Sequence, residues 1–303
     1  MTEYTFFSGK FVDSNKALIP IKTHAFLYGT SIFEGLRAYY NKDENQLYIF
    51  RMKEHYDRLN RSAKIMMMNN PYSDDELYKI NIELLKKNNY RQDVYIRPVL
   101  YKSTESIGPS LHDKKDEYLV FSLPFGDYFD TPELNVCVSS WRRNSDNTIP
   151  PRAKIAGAYV NASLIKTDAH NFGFDDAITL SESGHVAEGS AMNMIFIRDG
   201  KLITTTSTDD ILVGVTRNTV LQLAQDIGIE VVERPVDRTE LYIMDEIFAC
   251  GTGAQIMAVT SVDKRPVGNG KTGEITSQLQ KLYYDVVHGK VAKYKDWCTA
   301  VYD

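Results

Sequence analysis

Apolar residues recur along this chain in two rhythms, every second position in short runs and every third or fourth in longer ones. The first 125 residues mix the two. Residues 6–12, FFSGKFV, predict a hairpin turning at Ser8, Gly9 and Lys10, and residues 46–50, QLYIF, predict a strand. Met52, Tyr56, Leu59, Ala63 and Met66 then fall on one helical stripe, with Arg58 off it. Ser73 followed by Glu76 is a capping-box pattern, and the helix it opens turns Leu77, Ile80, Leu84 and Leu85 inward. Residues 94–100 and 118–121 predict strands. The stretch FGDYFDTP that begins at Phe125 is rich in turn formers and has no period, so a linker is expected at 126–133, between domains over 1–125 and 134–303.

The second half opens with an expected strand over 135–140 and a helix over 159–171 that stops near Gly173. A hairpin is expected to pair 176–180 with 193–197 around a turn at Gly184. A helix over 216–225 stops at Gly228, and strands follow at 229–232, 246–250 and 256–262. A last helix presents Ile275, Leu279, Leu282, Val286 and Val287 on one face. Hairpins outnumber strict strand–helix–strand alternation, so the expected fold class is α+β rather than one doubly wound sheet.

Composition narrows the function. Hydrophobic residues make up 43% of the 303 and charged residues 25%, as in globular proteins. Lys plus Arg is 35 against 40 for Asp plus Glu, a net charge of −5, which argues against a nucleic-acid partner. The apolar runs, such as the one from Ile65 to Met68, fall far short of the ~20 residues of a membrane helix. No basic stretch followed by an apolar one marks the N-terminus, and Cys137, Cys250 and Cys298 lie far apart with no C-x-x-C. A cytoplasmic protein with reduced thiols is expected. The six histidines have no metal-ligand spacing, so no metal is expected, and His24 and His55 are taken as structural histidines.

Candidate chemistry is weighed against ordinary readings. Residues 268–273, GNGKTG, match a dinucleotide fingerprint, but a phosphate loop needs Gly where Arg265 stands. The acid at fingerprint spacing, Asp285, falls inside a predicted helix, so a surface turn is the better reading. Gly214, Val215 and Thr216 open a helix whose free N–H groups could face an anion, although any helix start looks alike. Gly251, Thr252 and Gly253 end a strand and could form an anion nest or a plain turn. Lys154 sits among small and apolar neighbours, where desolvation favours the neutral, nucleophilic amine; most lysines are simply solvated. Glu188 is read as a carboxylate between two strands.

These signals occur in a fixed order. Residues 24–37, HAFLYGTSIFEGLR, are followed by YIRP at 95–98, SSW at 139–141, Ala153-Lys154, Glu188-Gly189, residues 212–217, Gly251-Thr252 and Trp297. Nearly end to end, the chain resembles the branched-chain amino acid aminotransferases of the class IV, fold type IV, pyridoxal-phosphate family. The resemblance implies a smaller N-terminal α/β domain and a larger, pseudo-barrel-like C-terminal domain. It also implies pyridoxal 5'-phosphate between them and a homodimer or higher homo-oligomer.

Residue by residue, Lys154 matches the lysine that the family links to the cofactor. Glu188 matches the partner of the ring nitrogen, Tyr159 that of the phenolic oxygen, and Arg58, Val215, Thr216 and Thr252 the phosphate cup. Tyr28, Phe33, Phe125 and Tyr128 match aromatic substrate-pocket positions. Tyr95 and the amides at Gly253 match the α-carboxylate site, and Arg97 the residue that meets the distal carboxylate of glutamate. The implied reaction is ping-pong amino transfer between leucine, isoleucine or valine and 2-oxoglutarate, giving branched 2-oxo acids and glutamate. Phe125, Pro109 and Gly253 stand where some relatives carry Trp, Val and Ala. Within the same fold, a D-amino acid aminotransferase and an aminodeoxychorismate lyase are the rival activities.

Overall fold

The computed structural model describes residues 3–303. By internal contacts the described chain divides into two compact units. The first takes the residues up to Gly126, the five residues Ala153–Gly157, and Asp285–Asp303; the second takes Asp127–Arg152 and Ala158–Tyr284.

The first unit begins with β1 (Tyr4–Phe7) and β2 (Lys10–Asp13), a hairpin whose turn has Ser8 and Gly9 at positive φ. The short α1 (His24–Tyr28) leads to β3 (Ser31–Phe33), β4 (Leu36–Asn41) and β5 (Gln46–Phe50). Two helices follow, α2 (Met52–Ile65) and α3 (Asp74–Asn88), and the expected Ser73–Glu76 capping box is formed in both directions. The long strands β6 (Val94–Lys102) and β7 (Asp116–Pro124) pair antiparallel over their whole lengths. Strands β3 and β4 lie in a glycine-punctuated segment with no alternating run, and both attach to β6. Their existence is set by that partner rather than by local pattern.

The second unit contains β8 (Leu134–Arg142), α4 (Tyr159–Asn171), β9 (Asp176–Leu180), β10 (Val186–Gly189), β11 (Asn193–Arg198) and β12 (Lys201–Thr204). Next come α5 (Val215–Asp226), β13 (Val231–Glu233), β14 (Glu246–Gly251), β15 (Gln255–Val262), β16 (Arg265–Pro266) and α6 (Glu274–Val287). Finally β17 (Cys298–Ala300) adds to the first sheet by pairing antiparallel with β5. That sheet runs β17-β5-β4-β6-β7-β1-β2, with β3 beside β6. The second runs β10-β9-β8-β15-β14-β11-β12-β13, with β16 beside β15 and three parallel pairings: β8 with β9, β8 with β15, and β12 with β13. Its buried face is an apolar cluster that includes Leu134, Ile178, Phe196, Ile247 and Val259.

Three expectations are corrected. The hairpin partner of β9 is β10, not the strand at 193–197, which instead pairs with β12 and β14. Glu188 therefore lies within a buried strand and not between strands; a charge in a four-residue run conceals the strand from a hydrophobicity reading. The strand expected at 229–232 starts at Val231, because the Ile229 N–H donates to the Ala224 carbonyl and finishes α5.

Candidate active site

In the first unit, five expected site residues come together. The segment Ala153–Gly157 is pinned by backbone: the Lys154 N–H donates to Ser62 Oγ of α2 at 3.2 Å, and the Lys154 carbonyl accepts from the Phe33 N–H of β3 at 3.0 Å. Gly29, in the left-handed conformation at φ 66°, lets this segment approach. A Cβ there would stand 2.8 Å from the Gly157 Cα. Lys154 Nζ lies 5.1 Å from the centroid of the buried Phe33 ring, and the Arg97 guanidinium lies 4.3 Å from the same centroid. Arg97 donates twice to the Tyr95 hydroxyl, at 2.7 and 3.2 Å, and the Tyr95 ring meets Phe125 at 5.3 Å. An amine, a guanidinium, a phenol and two apolar rings thus form one continuous surface. Tyr28 contacts other groups: its hydroxyl accepts from the Gly108 N–H and its ring tilts against His24.

Arg58 is not a lone cation. Its Nε and terminal nitrogen donate to the two oxygens of Glu34, each at 2.7 Å, and Nδ1 of His55 sits 2.7 Å from the second oxygen. All three side chains are buried. Burial alone would raise the Glu34 pKa; the charge and forked hydrogen bonds of Arg58 outweigh it, with help from His55, and hold the carboxyl well below its usual range. Burial also lowers the pKa of His55, more than Glu34 raises it, so the ring is neutral and donates its Nδ1 hydrogen to the carboxylate. His55 is a structural histidine as expected, and so is His24, between Thr30 Oγ1 at 2.7 Å and the Gly108 carbonyl at 3.0 Å. Glu34 was missed. Its signal was a carboxylate inside the HAFLYGTSIFEGLR motif, just past a strand, β3, that the sequence pattern does not show.

The second unit arranges its groups around Glu188. One oxygen accepts from Asn193 Nδ2 at 3.1 Å and from the Leu212 N–H at 3.2 Å, and the other lies 2.8 Å from Arg143 Nε. Asn193 also donates to the Leu212 carbonyl at 2.9 Å, tying the acid to the turn before α5. Gly214 at that turn faces Asn193, and an added Cβ would overlap the amide oxygen. Val215 and Thr216 are the buried first residues of α5, and Gly214 supplies no capping side chain to their end of the helix. The buried Asp176 accepts from the N–H and hydroxyl of Ser190, at 3.2 and 2.9 Å, and so holds the residue that follows β10. Thr252 and Gly253 lie in the tight turn between β14 and β15, and a Cβ added at Gly253 would stand 3.3 Å from the Tyr128 ring. Tyr128 itself lies under Lys166 Nζ at 4.8 Å. Half-buried Tyr159 is the first residue of α4, and its carbonyl accepts from Ser163 Oγ. Arg143 and Asn193 carried no role in the sequence reading.

The glycines at 268–273 form a turn, as expected. Beyond them a carboxylate already caps α6: Glu246 accepts from the N–H groups of Ile275 and Thr276, at 3.1 and 2.8 Å, and from the Thr276 hydroxyl. A nucleotide phosphate would meet that carboxylate first. Burial pushes the Cys250 thiol up to about 12 and those of Cys137 and Cys298 up to about 11, so none is a ready nucleophile.

The model for class IV aminotransferases matches residues 31–262, and the chain belongs to that family. Its relatives narrow the resemblance. The chain is 48% identical to a probable branched-chain-amino-acid aminotransferase of Aquifex aeolicus, over 99% of this chain and 97% of that one. Its fold superimposes with a TM-score of 0.96 on the branched-chain aminotransferase of Thermoproteus uzoniensis with norvaline, at 37% identity and full coverage of both chains. It also superimposes with a TM-score of 0.95 on the branched-chain amino acid aminotransferase of Thermobaculum terrenum in its PLP-form, at 36% identity, over 100% of this chain and 99% of that one. The architecture is the α+β fold of type IV.

Proposed function

We propose that this protein transfers amino groups between branched-chain L-amino acids and 2-oxoglutarate in two successive half-reactions, with pyridoxal 5'-phosphate as its cofactor. The observation that carries the reading is the cluster of Lys154, Phe33, Arg97 and Tyr95, in which an amine and a guanidinium share one apolar ring. The donor set suits the cofactor: an amine for its aldehyde, a buried carboxylate at Glu188 for its ring nitrogen, and an uncapped helix start for its phosphate. When bound, it takes up the amino group and accepts the electron pair left behind when the substrate α-proton departs. Lys154 supplies the amine that takes that proton. Val215, Thr216, Thr252 and Arg58 hold the phosphate, and Tyr159 the phenolic oxygen. Because Arg58 also carries Glu34, its positive charge is largely neutralised, and backbone amides supply much of the attraction.

The substrate surface has to accept both an aliphatic side chain and the carboxylate of glutamate. Phe33, Phe125, Tyr28 and Tyr128 supply apolar area for the first, and Arg97 supplies the charge for the second. Tyr95 and the Gly253 turn take the α-carboxylate. A homodimer in the cytoplasm is part of the reading. Leu18, Ile21, Phe26 and Ile107 are 75, 79, 73 and 83% exposed on the first unit, and a second copy is the occupant we assign to them.

Borohydride reduction and peptide mapping test the central assignment: the label is expected on Lys154, and a label on any other lysine overturns it. Leucine is expected to react and D-alanine not. Arg97→Met is expected to weaken the glutamate half-reaction by roughly a hundredfold and the leucine half-reaction far less, as for a charge left without its partner. Equal losses in single-turnover measurements would assign Arg97 to the α-carboxylate or the fold. Ile21→Asp, followed by sedimentation, tests the dimer face; an unchanged mass above the monomer's would move the contact elsewhere.

A further inference from the structure

The ion pair between Arg143 and Glu188 has no part in the activity described so far. It is built with care by the backbone. Arg143 follows the last residue of β8, and its N–H donates to the Leu180 carbonyl of β9 at 2.9 Å. Leu180 in turn pairs with Val186 of β10, two residues before Glu188. One residue of β9 thus sets the place of both the cation and the acid. The side chains are 12 and 5% exposed, with 2.8 Å between Nε and the carboxylate oxygen. The opposite oxygen already receives Asn193 and the Leu212 N–H, so the carboxylate cannot rotate without breaking contacts on both sides. The same guanidinium also acts on Asp210, a half-buried acid that accepts from the Asp146 N–H.

We propose that Arg143 is a positioning residue for the reaction, holding Glu188 ionised and fixed so that the proton shared with the cofactor's ring nitrogen stays on nitrogen. This rests on the assignment of Glu188 to that nitrogen. A carboxylate and a pyridine can share one proton in two ways: a cationic ring facing a carboxylate, or a neutral ring facing a carboxylic acid. Only the first makes the ring a strong acceptor of electrons. Burial of the acid without a cation pushes toward the second arrangement, because a lone buried carboxylate is costly. A guanidinium at ion-pair distance weakens the carboxylate's hold on a proton directly and reverses that push. Asn193 and Leu212, as neutral donors, orient the carboxylate without supplying the charge.

The test uses holoenzyme reconstituted with cofactor labelled with nitrogen-15 in the ring, whose chemical shift reports protonation of that atom without any turnover. Arg143→Met is expected to move the signal toward the unprotonated range. Its kcat for leucine is expected to fall roughly ten- to hundredfold, as is common for groups behind a primary ligand, with KM changing far less. Arg143→Lys, which keeps the charge, is expected to retain most of the wild-type signal and rate. Should Arg143→Met fail to fold, Arg143→Gln keeps a donor, drops the charge and carries the same expectation. Glu188→Gln, prepared in parallel, separates the two levels of the argument. If it moves the ring signal and the Arg143 variants do not, Arg143 is a structural ion pair and this inference falls alone. If neither moves it, the assignment of Glu188 falls as well.

Discussion

The two units solve the problem of holding polar chemistry in a folded interior by different means. The first uses side chains against side chains: Glu34, His55 and Arg58 satisfy one another in a fully buried triad, Glu34 just after β3 and the other two on α2. The second adds backbone to its side chains. Glu188 is gripped by the Leu212 amide and by Asn193, which is also bonded to the Leu212 carbonyl, and the candidate phosphate donors are the first amides of α5. The difference predicts different failures. A side-chain triad loses stability when one of its two charged members goes, because the other is left as a buried charge without its opposite. A backbone cup loses geometry, and hence ligand affinity, while the sheet around it survives.

The largest effect should follow Glu34→Ala, which removes the carboxylate that Arg58 and His55 both face. A loss of about 3–5 kcal/mol in unfolding free energy is expected, the usual cost of breaking a buried pair on one side. Chemical denaturation monitored by tyrosine and tryptophan fluorescence measures it. A loss under about 1 kcal/mol, typical of exposed pairs, would show that water reaches the triad.

Gly214→Ala should be milder and of another kind. The added methyl overlaps the Asn193 amide oxygen, so either that amide or the turn must move. Cofactor affinity should weaken by about 1–3 kcal/mol, as for an overpacked site, with little change in the unfolding of the cofactor-free protein. Titration of apoenzyme with cofactor reads the first quantity and a melting curve the second. If the melting curve moves as far as that of Glu34→Ala, the contrast between the units is wrong.

The smallest effect concerns pH. His55 is neutral when folded and regains its ordinary value of about 6.5 when unfolded, so the unfolded chain binds the extra proton. Its contribution is therefore complete above about pH 6.5 and is lost as pH falls below it, by at most ~1.4 kcal/mol per pH unit. Glu34 shifts the same way, but its window begins below the usual carboxylate value and so adds no slope near neutrality. His55→Asn should flatten the dependence of stability on pH between about 5.5 and 6.5. An identical slope in the variant would mean that His55 is charged in the folded state.

Local sequence was a good guide wherever the reason for a structure was local. The Ser73 capping box, the amphipathic stripe of α2 and the turn at Ser8 and Gly9 depend on residues within a few positions of one another, and they formed as expected. The family motif likewise marked Lys154 and Phe33, and in the structure these share one surface with Tyr95, Arg97 and Phe125. What local sequence did not show was every feature whose cause lies far along the chain. The pairing of β17 with β5 joins strands about 250 residues apart, and the β9 partner was misread because β10 is short and carries a charge.

By itself, then, the sequence determined the helices with complete stripes and caps and the long alternating strands. Tertiary structure alone decided that Arg58 shares its charge with Glu34 and that Arg143 stands against Glu188. The physical reason is common to both. A charge in water has no preferred partner, whereas a buried one must find its opposite, and only the packed chain brings Glu34 to Arg58, 24 positions away, and Arg143 to Glu188 across two strands.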